Sequence, residues 1–145
     1  MNYIVSGKDE YLVNQKVEQV IENFLPENDY MNKVYYDSLS LSWQMVVDDA
    51  GTFSFFGDKK VIVVENCWFL TGKDSLSTED EKILTDYLND SNPSSVVILT
   101  VASLLDGRKS LVKNLRKICQ CIEIEPLSSD EFAGIVIGCL RGNVD

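Results

Sequence analysis

The chain has 145 residues, 45% of them hydrophobic and 25% charged. That composition suits one folded domain with a real core and argues against disorder. A formal net charge of −10 argues against a chain that grips nucleic acid by itself, and the complete lack of histidine removes most zinc-site patterns, histidine-based triads and the usual general base at neutral pH.

In chain order, Tyr3-Ile4-Val5 reads as a short strand that ends at Ser6-Gly7. Asp9 suits a helix cap. Val13, Val17, Val20 and Phe24 then recur at helical spacing, and Pro26 closes the segment. Lys33-Val34-Tyr35-Tyr36 is a second strand. Ser42 is placed to cap a helix whose apolar face is Trp43, Val46, Val47 and Ala50, and Gly51 stops it. Thr52-Phe53-Ser54-Phe55-Phe56 follows as an aromatic loop between two glycines, and Gly57-Asp58-Lys59-Lys60 turns the chain. Val61 to Val64 is apolar on both faces, as a doubly buried strand requires, and it runs out into Glu65-Asn66.

Thr78-Glu79-Asp80-Glu81 is a capping-box pattern that opens a helix carrying Ile83, Leu84, Tyr87 and Leu88. Asn89 to Ser94 is a turn, and Val96 to Val101 is another doubly apolar strand. Residues 108–117 read as a basic helix with Leu111, Val112 and Leu115 inward. Its Arg108, Lys109, Lys113, Arg116 and Lys117 are either a solvated face or a contact for a neighbouring subunit or DNA. Cys121 to Ile124 is the fifth strand. Ser128 to Glu131 caps a last helix with Phe132, Ile135, Val136, Cys139 and Leu140 on one side.

The repeated strand–helix order predicts an α/β fold, a parallel sheet of about five strands with helices on both faces. No strand follows the last helix, so its apolar stripe suits a neighbouring domain; the expectation is an amino-terminal piece of a longer protein. The cysteines at 67, 119, 121 and 139 form no CxxC pair and read as small buried hydrophobes in a reducing compartment. The first seven residues reach a glycine and then charges at once, unlike a signal peptide, and no apolar run is of membrane-spanning length. A cytoplasmic protein is expected.

A sheet that opens with strand, glycine turn and helix invites a P-loop reading. That chemistry needs GxxxxGK[ST]: glycines so that backbone N–H groups can cradle phosphates, a lysine for charge and a hydroxyl for Mg²⁺. Here the turn is Ser6-Gly7-Lys8-Asp9-Glu10-Tyr11, with one glycine and no GK[ST] end. Two carboxylates at a helix start favour the fold but compete with phosphate. Glu65-Asn66 stands where a Walker-B strand offers Asp-Glu. The reading is therefore a P-loop-like sheet without a functional P-loop, without a cofactor, and with no metal or catalytic residues.

Taken together, SGKDEYLV at 6–13, FSFFGDKKVIVVENCWFLTG at 53–72, PSSVVILTVASLLDGRKSLVKNL at 93–115 and CIEIEPLSSDEF at 121–132 resemble the amino-terminal domain of the delta subunit of the bacterial DNA polymerase III clamp loader. The resemblance covers essentially the whole chain. It implies a three-layer AAA+-like core over residues 1–126, with residues 127–145 starting a lid domain, and it implies no enzymatic activity within this subunit. It also implies a role in DNA replication: binding the sliding clamp (the beta subunit) and helping to open its ring. Other clamp-loader subunits would be met through further domains, DNA only indirectly, and no membrane is involved.

The clamp contact in that family resembles a Gln-Leu-Ser-Leu-Phe pentapeptide. Here it falls on Thr52, Phe53, Ser54, Phe55 and Phe56, with Phe55 and Phe56 at the two anchor positions. Thr52 replaces the glutamine, and Phe53 and Phe55 replace leucines. The plainer alternative is that these phenylalanines plug the core beside the sheet. Trp68-Phe69-Leu70 is expected to pack beneath and support the loop. The rival functions are a divergent P-loop nucleotide-binding domain or NTPase, and a nucleic-acid module acting through residues 108–117.

Overall fold

Five parallel strands run side by side in the order β2-β3-β4-β1-β5. The computed structural model describes residues 2–25, 32–52 and 59–125. The strands are β1 (Asn2–Gly7), β2 (Lys33–Asp37), β3 (Lys60–Glu65), β4 (Ser95–Val101) and β5 (Gln120–Ile124). Between them lie α1 (Glu10–Glu22), α2 (Trp43–Ala50), α3 (Thr78–Asn89) and α4 (Ser110–Ile118), with a 3₁₀ turn at Trp68–Leu70 after β3. Phe53, Ser54, Phe55, Phe56, the helix expected after Ser128 and the boundary expected at 126/127 lie outside the described residues.

The doubly apolar strands become the middle of the sheet. In register, Ile62 of β3 stands between Val34 and Val97, and Ile4 of β1 between Leu99 and Cys121. Alternate residues then feed two cores. On one face, α2, α3 and α4 cover Ile4, Ile62, Val97 and Leu99 with side chains such as Trp43, Val46, Leu84 and Leu115. On the other, α1 lays Val13, Val17, Val20 and Ile21 over Val5, Val63 and Ile98. This is the three-layer α/β arrangement the periodicity predicts. Ile62, Ile98 and Leu84 are at most 1% exposed, and burying each such side chain stabilises the fold by about 1.5–3 kcal/mol.

The helix starts follow their sequence signals with two adjustments. Asp9 caps α1: its Oδ1 accepts from the Leu12 N–H at 3.2 Å. The cap of α3 is Ser77, one residue earlier than the pattern suggests. Ser77 has extended backbone and its Oγ accepts from the Asp80 N–H at 3.1 Å, whereas Thr78 is already helical. Ser42 stands at the N-cap of α2 with extended backbone, but its hydroxyl makes no capping bond. Helix α4 begins at Ser110, so Arg108 and Lys109 precede it. Asp106 draws those two residues into a turn, accepting the Arg108 N–H at 3.0 Å on its side chain and the Lys109 N–H at 3.2 Å on its carbonyl. Cys67 and Cys119 are buried and Cys121 is half-buried, as small apolar residues would be. Among the described residues no helix is long and apolar enough to cross a membrane.

Gly7 has a packing reason to be glycine. A Cβ there would stand 2.5 Å from the Ile124 carbonyl oxygen of the neighbouring strand β5. A backbone oxygen inside a sheet has little room to move, so Gly7→Ala is expected to destabilise the fold by about 1–3 kcal/mol in urea unfolding. The cap positions separate in the same assay: Ser77→Ala is expected to cost about 1 kcal/mol and Thr78→Ala clearly less.

Candidate functional site

The sheet has two polar ends. At the carboxyl end, where open α/β sheets usually bind ligands, a cleft of about 100 Å³ lies between β3, β4 and the start of α1. Its walls include Glu10, Asn14, Glu65, Asn66 and Thr100. Clefts that take small molecules are usually roughly 300–1,000 Å³. The two carboxylates would face any phosphate placed here, and among the described residues no lysine or arginine lines the cleft. The Asp9 carboxylate meanwhile takes the Leu12 N–H, one of the helix-start donors a phosphate would use.

Glu65 is followed by Asn66 in the left-handed region, φ 61°. Asparagine tolerates that backbone better than most residues. Its Nδ2 donates to Asp37 Oδ1 at 3.1 Å, and the Leu39 N–H donates to the same oxygen at 2.9 Å. Those two bonds, the Leu39 one first, hold the Asp37 carboxyl below its usual range. The Asn66 bond ties the ends of β2 and β3 together. Burial pushes the adjacent Cys67 thiol far up, so it is not a poised nucleophile.

The amino end holds a different cluster, where three pieces of chain meet. These are the last turn of α2, the first residues of β3 and the turn between α3 and β4. The last carbonyls of any helix lack partners within it. Here side chains from the other two segments supply them. The Ala50 carbonyl accepts from Ser95 Oγ at 2.6 Å and from Asn92 Nδ2 at 3.2 Å. The Asp49 carbonyl accepts from Lys60 Nζ at 3.1 Å. The same ammonium forms an ion pair with Asp49 Oδ1 and donates to Thr52 Oγ1 at 2.9 Å. Tyr36 completes the set by donating its hydroxyl to Asp49 Oδ2 at 2.6 Å. A cation at a helix carboxyl terminus also meets the negative end of the helix dipole.

Thr52 is the one member of the expected clamp-binding segment among the described residues. It is exposed, its hydroxyl donates to the Asp49 carbonyl at 2.7 Å, and its carbonyl accepts from Asn92 Nδ2 at 3.3 Å. On the other side of the loop, Lys59 Nζ reaches the Pro93 carbonyl at 2.9 Å and the Lys60 N–H reaches the Ser94 carbonyl at 2.9 Å. Both stems of the 53–58 segment are therefore fastened to the same turn.

Trp68-Phe69-Leu70 stands apart from the described stems of that segment, Thr52 and Lys59. It lies beyond the opposite, carboxyl end of β3, where Phe69 meets Trp43 edge-on with ring centres 5.5 Å apart. Trp43 opens α2, whereas the loop leaves from that helix's other end, so adjacency in sequence misleads here. Three residues of the basic segment, Arg108, Lys109 and Arg116, have partners within the fold, and Lys113 and Lys117 are exposed. Lys109 Nζ donates to the Phe69 carbonyl at 3.0 Å and to the Asp74 carbonyl, Arg108 pairs with Asp106, and Arg116 reaches Glu123 Oε2 at 2.8 Å. The residues that sequence reasoning missed are Lys60, Asn92 and Ser95. The turn chemistry of 89–94 is visible in sequence, but nothing in it reveals which backbone the turn would hold.

Sheet order, helix layers and a carboxylate-lined corner in place of a phosphate cradle define an AAA+-like α/β core. The chain belongs to the family described as DNA polymerase III, delta subunit, whose model matches residues 3–125. It is 29% identical over 143 residues to DNA polymerase III subunit delta of Bacillus subtilis (strain 168), a match that covers 96% of this chain and 41% of that protein. The structure of a Bacillus subtilis DNA clamp loader delta protein superposes with a TM-score of 0.78 and 28% identity, over 90% of this chain and 40% of that one. A DNA polymerase III gamma subunit-related protein from Thermotoga maritima shares the fold, with a TM-score of 0.61 at 12% identity over 90% of this chain and 42% of its own.

The stem cluster has a measurable titration. Burial first, then the hydrogen bond to Asp49 and its charge, push the Tyr36 phenol up to about 12 from an ordinary 10.0. The fold favours the neutral phenol. The resulting stability is fully present below pH 10, and it is lost as pH rises from about 10 towards about 12. Denaturant titrations across that window should show a steeper decline for the wild type than for Tyr36→Phe, which has no proton to lose there.

Proposed function

We propose that this chain docks on a sliding clamp through residues 52–56, with Phe55 and Phe56 as the anchors and Thr52, Phe53 and Ser54 as flanks. The observation that carries this reading is the fastening of both stems of that segment at one end of the sheet, in a chain of the delta subunit family. Adjacent aromatic side chains on a held loop suit an apolar pocket on a partner. Each phenylalanine could contribute about 1.5–3 kcal/mol before ordering costs.

Docking favours ring opening when it stabilises the open clamp more than the closed one. The sheet behind the loop carries force from ATP-hydrolysing subunits to the docked loop. In this reading residues 1–126 form the clamp-binding domain and 127–145 begin a lid. The other loader subunits are met by parts of the protein beyond this chain, which spans 41% of its Bacillus relative. DNA is engaged only indirectly, in the cytoplasm. The chain itself breaks and makes no bonds; the carboxylates Glu10 and Glu65 at the small carboxyl-end cleft favour this over the nucleotide-binding alternative.

Calorimetry of the chain with the sliding clamp of the same organism tests the reading. The wild type is expected to bind, and a folded Phe55→Ala/Phe56→Ala variant to bind at least about 100-fold more weakly, as the loss of about 3 kcal/mol implies. Equal binding by the two would remove the loop from the mechanism. In the same cell, Mg·ATP at millimolar concentration should give no binding heat; a saturable isotherm would instead favour the nucleotide-binding alternative.

A further inference from the structure

The junction at the amino end of the sheet does more than complete a helix terminus. Lys60 Nζ has three donors, and each has its own acceptor: the Asp49 carbonyl, Asp49 Oδ1 and Thr52 Oγ1. Its side chain is only 13% exposed, unlike the surface lysine pairs that contribute little. The Asn92 side chain is equally committed. Its Nδ2 is shared between the Ala50 and Thr52 carbonyls, and its Oδ1 accepts the Ser94 N–H at 3.0 Å. Neither side chain is needed for strand pairing, because the β3–β4 ladder is made by backbone groups. What the two share is the pair of stems. Lys60 joins the stem after α2 to the stem before β3, and Asn92 joins the first of these to the turn that also holds Lys59.

We infer that Lys60 and Asn92 are positioning residues for clamp docking, which fix the ends of the 53–58 segment without touching the partner. This rests on the proposed clamp-binding reading. Six residues lie between stems whose relative placement is already set in the free protein. A loop with fixed ends has fewer arrangements to give up on binding, so part of the ordering cost is met before the partner arrives. Ser95 and Tyr36 support the same carbonyl and carboxylate from below but do not bridge the stems.

The test uses Lys60→Met, which keeps the aliphatic stem and loses the donors, and Asn92→Ala. Clamp affinity is measured by calorimetry, and hydrogen exchange is followed by mass spectrometry on the same samples. Each variant is expected to bind the clamp about tenfold more weakly, with faster exchange at residues 50–52 and 59–60 and unchanged protection in β1 and β4. A purely structural role would instead speed exchange throughout while the folded protein keeps its affinity, and that result overturns the inference. Unchanged affinity beside a wild type that binds also overturns it and leaves the docking reading standing. A wild type that ignores the clamp removes the docking reading itself, and this role with it.

Discussion

The structure depends on one constraint: its central strands are buried on both faces. Val61 to Val64 are fully buried and Val96 to Leu99 at most 2% exposed, so no polar group can sit mid-strand there without a partner. Polar side chains are accordingly pushed to the strand ends. Asn2, Ser6, Ser95 and Thr100 are the buried polar residues of the described strands, and each stands at or next to the end of its strand. Asn2 accepts the Val97 N–H at 3.2 Å and donates to Ser91 Oγ, while Ser95 holds the α2 carbonyl. Among the described residues the buried polar side chains of the sheet therefore gather at its two rims, and the rims differ in make-up. The carboxyl rim presents Glu10 and Glu65 around a small cleft, and the amino rim gathers the Lys60–Asp49 ion pair, the Tyr36 hydroxyl and the Asn92 amide around the end of α2.

That difference bears on how an AAA+-like sheet serves a family whose work is assembly. At the carboxyl rim the features that would cradle phosphate are otherwise engaged. Gly7 leaves room for the Ile124 carbonyl of β5, and Asp9 occupies a helix-start donor. Both features contribute to packing whether or not a ligand is present. The basic residues are similarly absorbed: Lys109 ties the loop after the 3₁₀ turn to the body of the domain, and Arg116 pairs across to β5.

Much of this was legible in the sequence, for identifiable reasons. Strands apolar on both faces and helices with a single apolar stripe encode the three layers directly, because both patterns are periodic and local. The Asp9 cap was readable for the same reason. Ser77 was missed because Thr78 offers the same hydroxyl one step later, and only backbone geometry separates them. The opening of α4 at Ser110 was set by Asp106, a turn residue outside the helical pattern. The stem junction was not legible at all. Part of it joins residues more than 40 positions apart, as when Asn92 meets Ala50 and Ser95 meets the same carbonyl, and even the nearer Lys60 contacts follow no periodicity. The same limit hides that Trp68 to Leu70, next to β3 in sequence, sit at the other end of that strand from Thr52 and Lys59.

The strand order carries a consequence for biosynthesis. Among the described strands β1 is translated earliest, and its neighbours in the sheet are β4 and β5. At ribosomal speeds of about 5–20 residues per second, roughly 5–20 s separate the appearance of β1 from that of its first partner. During that wait a strand built around Tyr3, Ile4 and Val5 has unpaired backbone on both edges, with α1 next to it in sequence to shield one face. β2 and β3 can meet sooner, but they form an edge pair that nothing anchors until β4 arrives. The nascent domain therefore gains its sheet late and nearly all at once, when β4 slots between two strands already made.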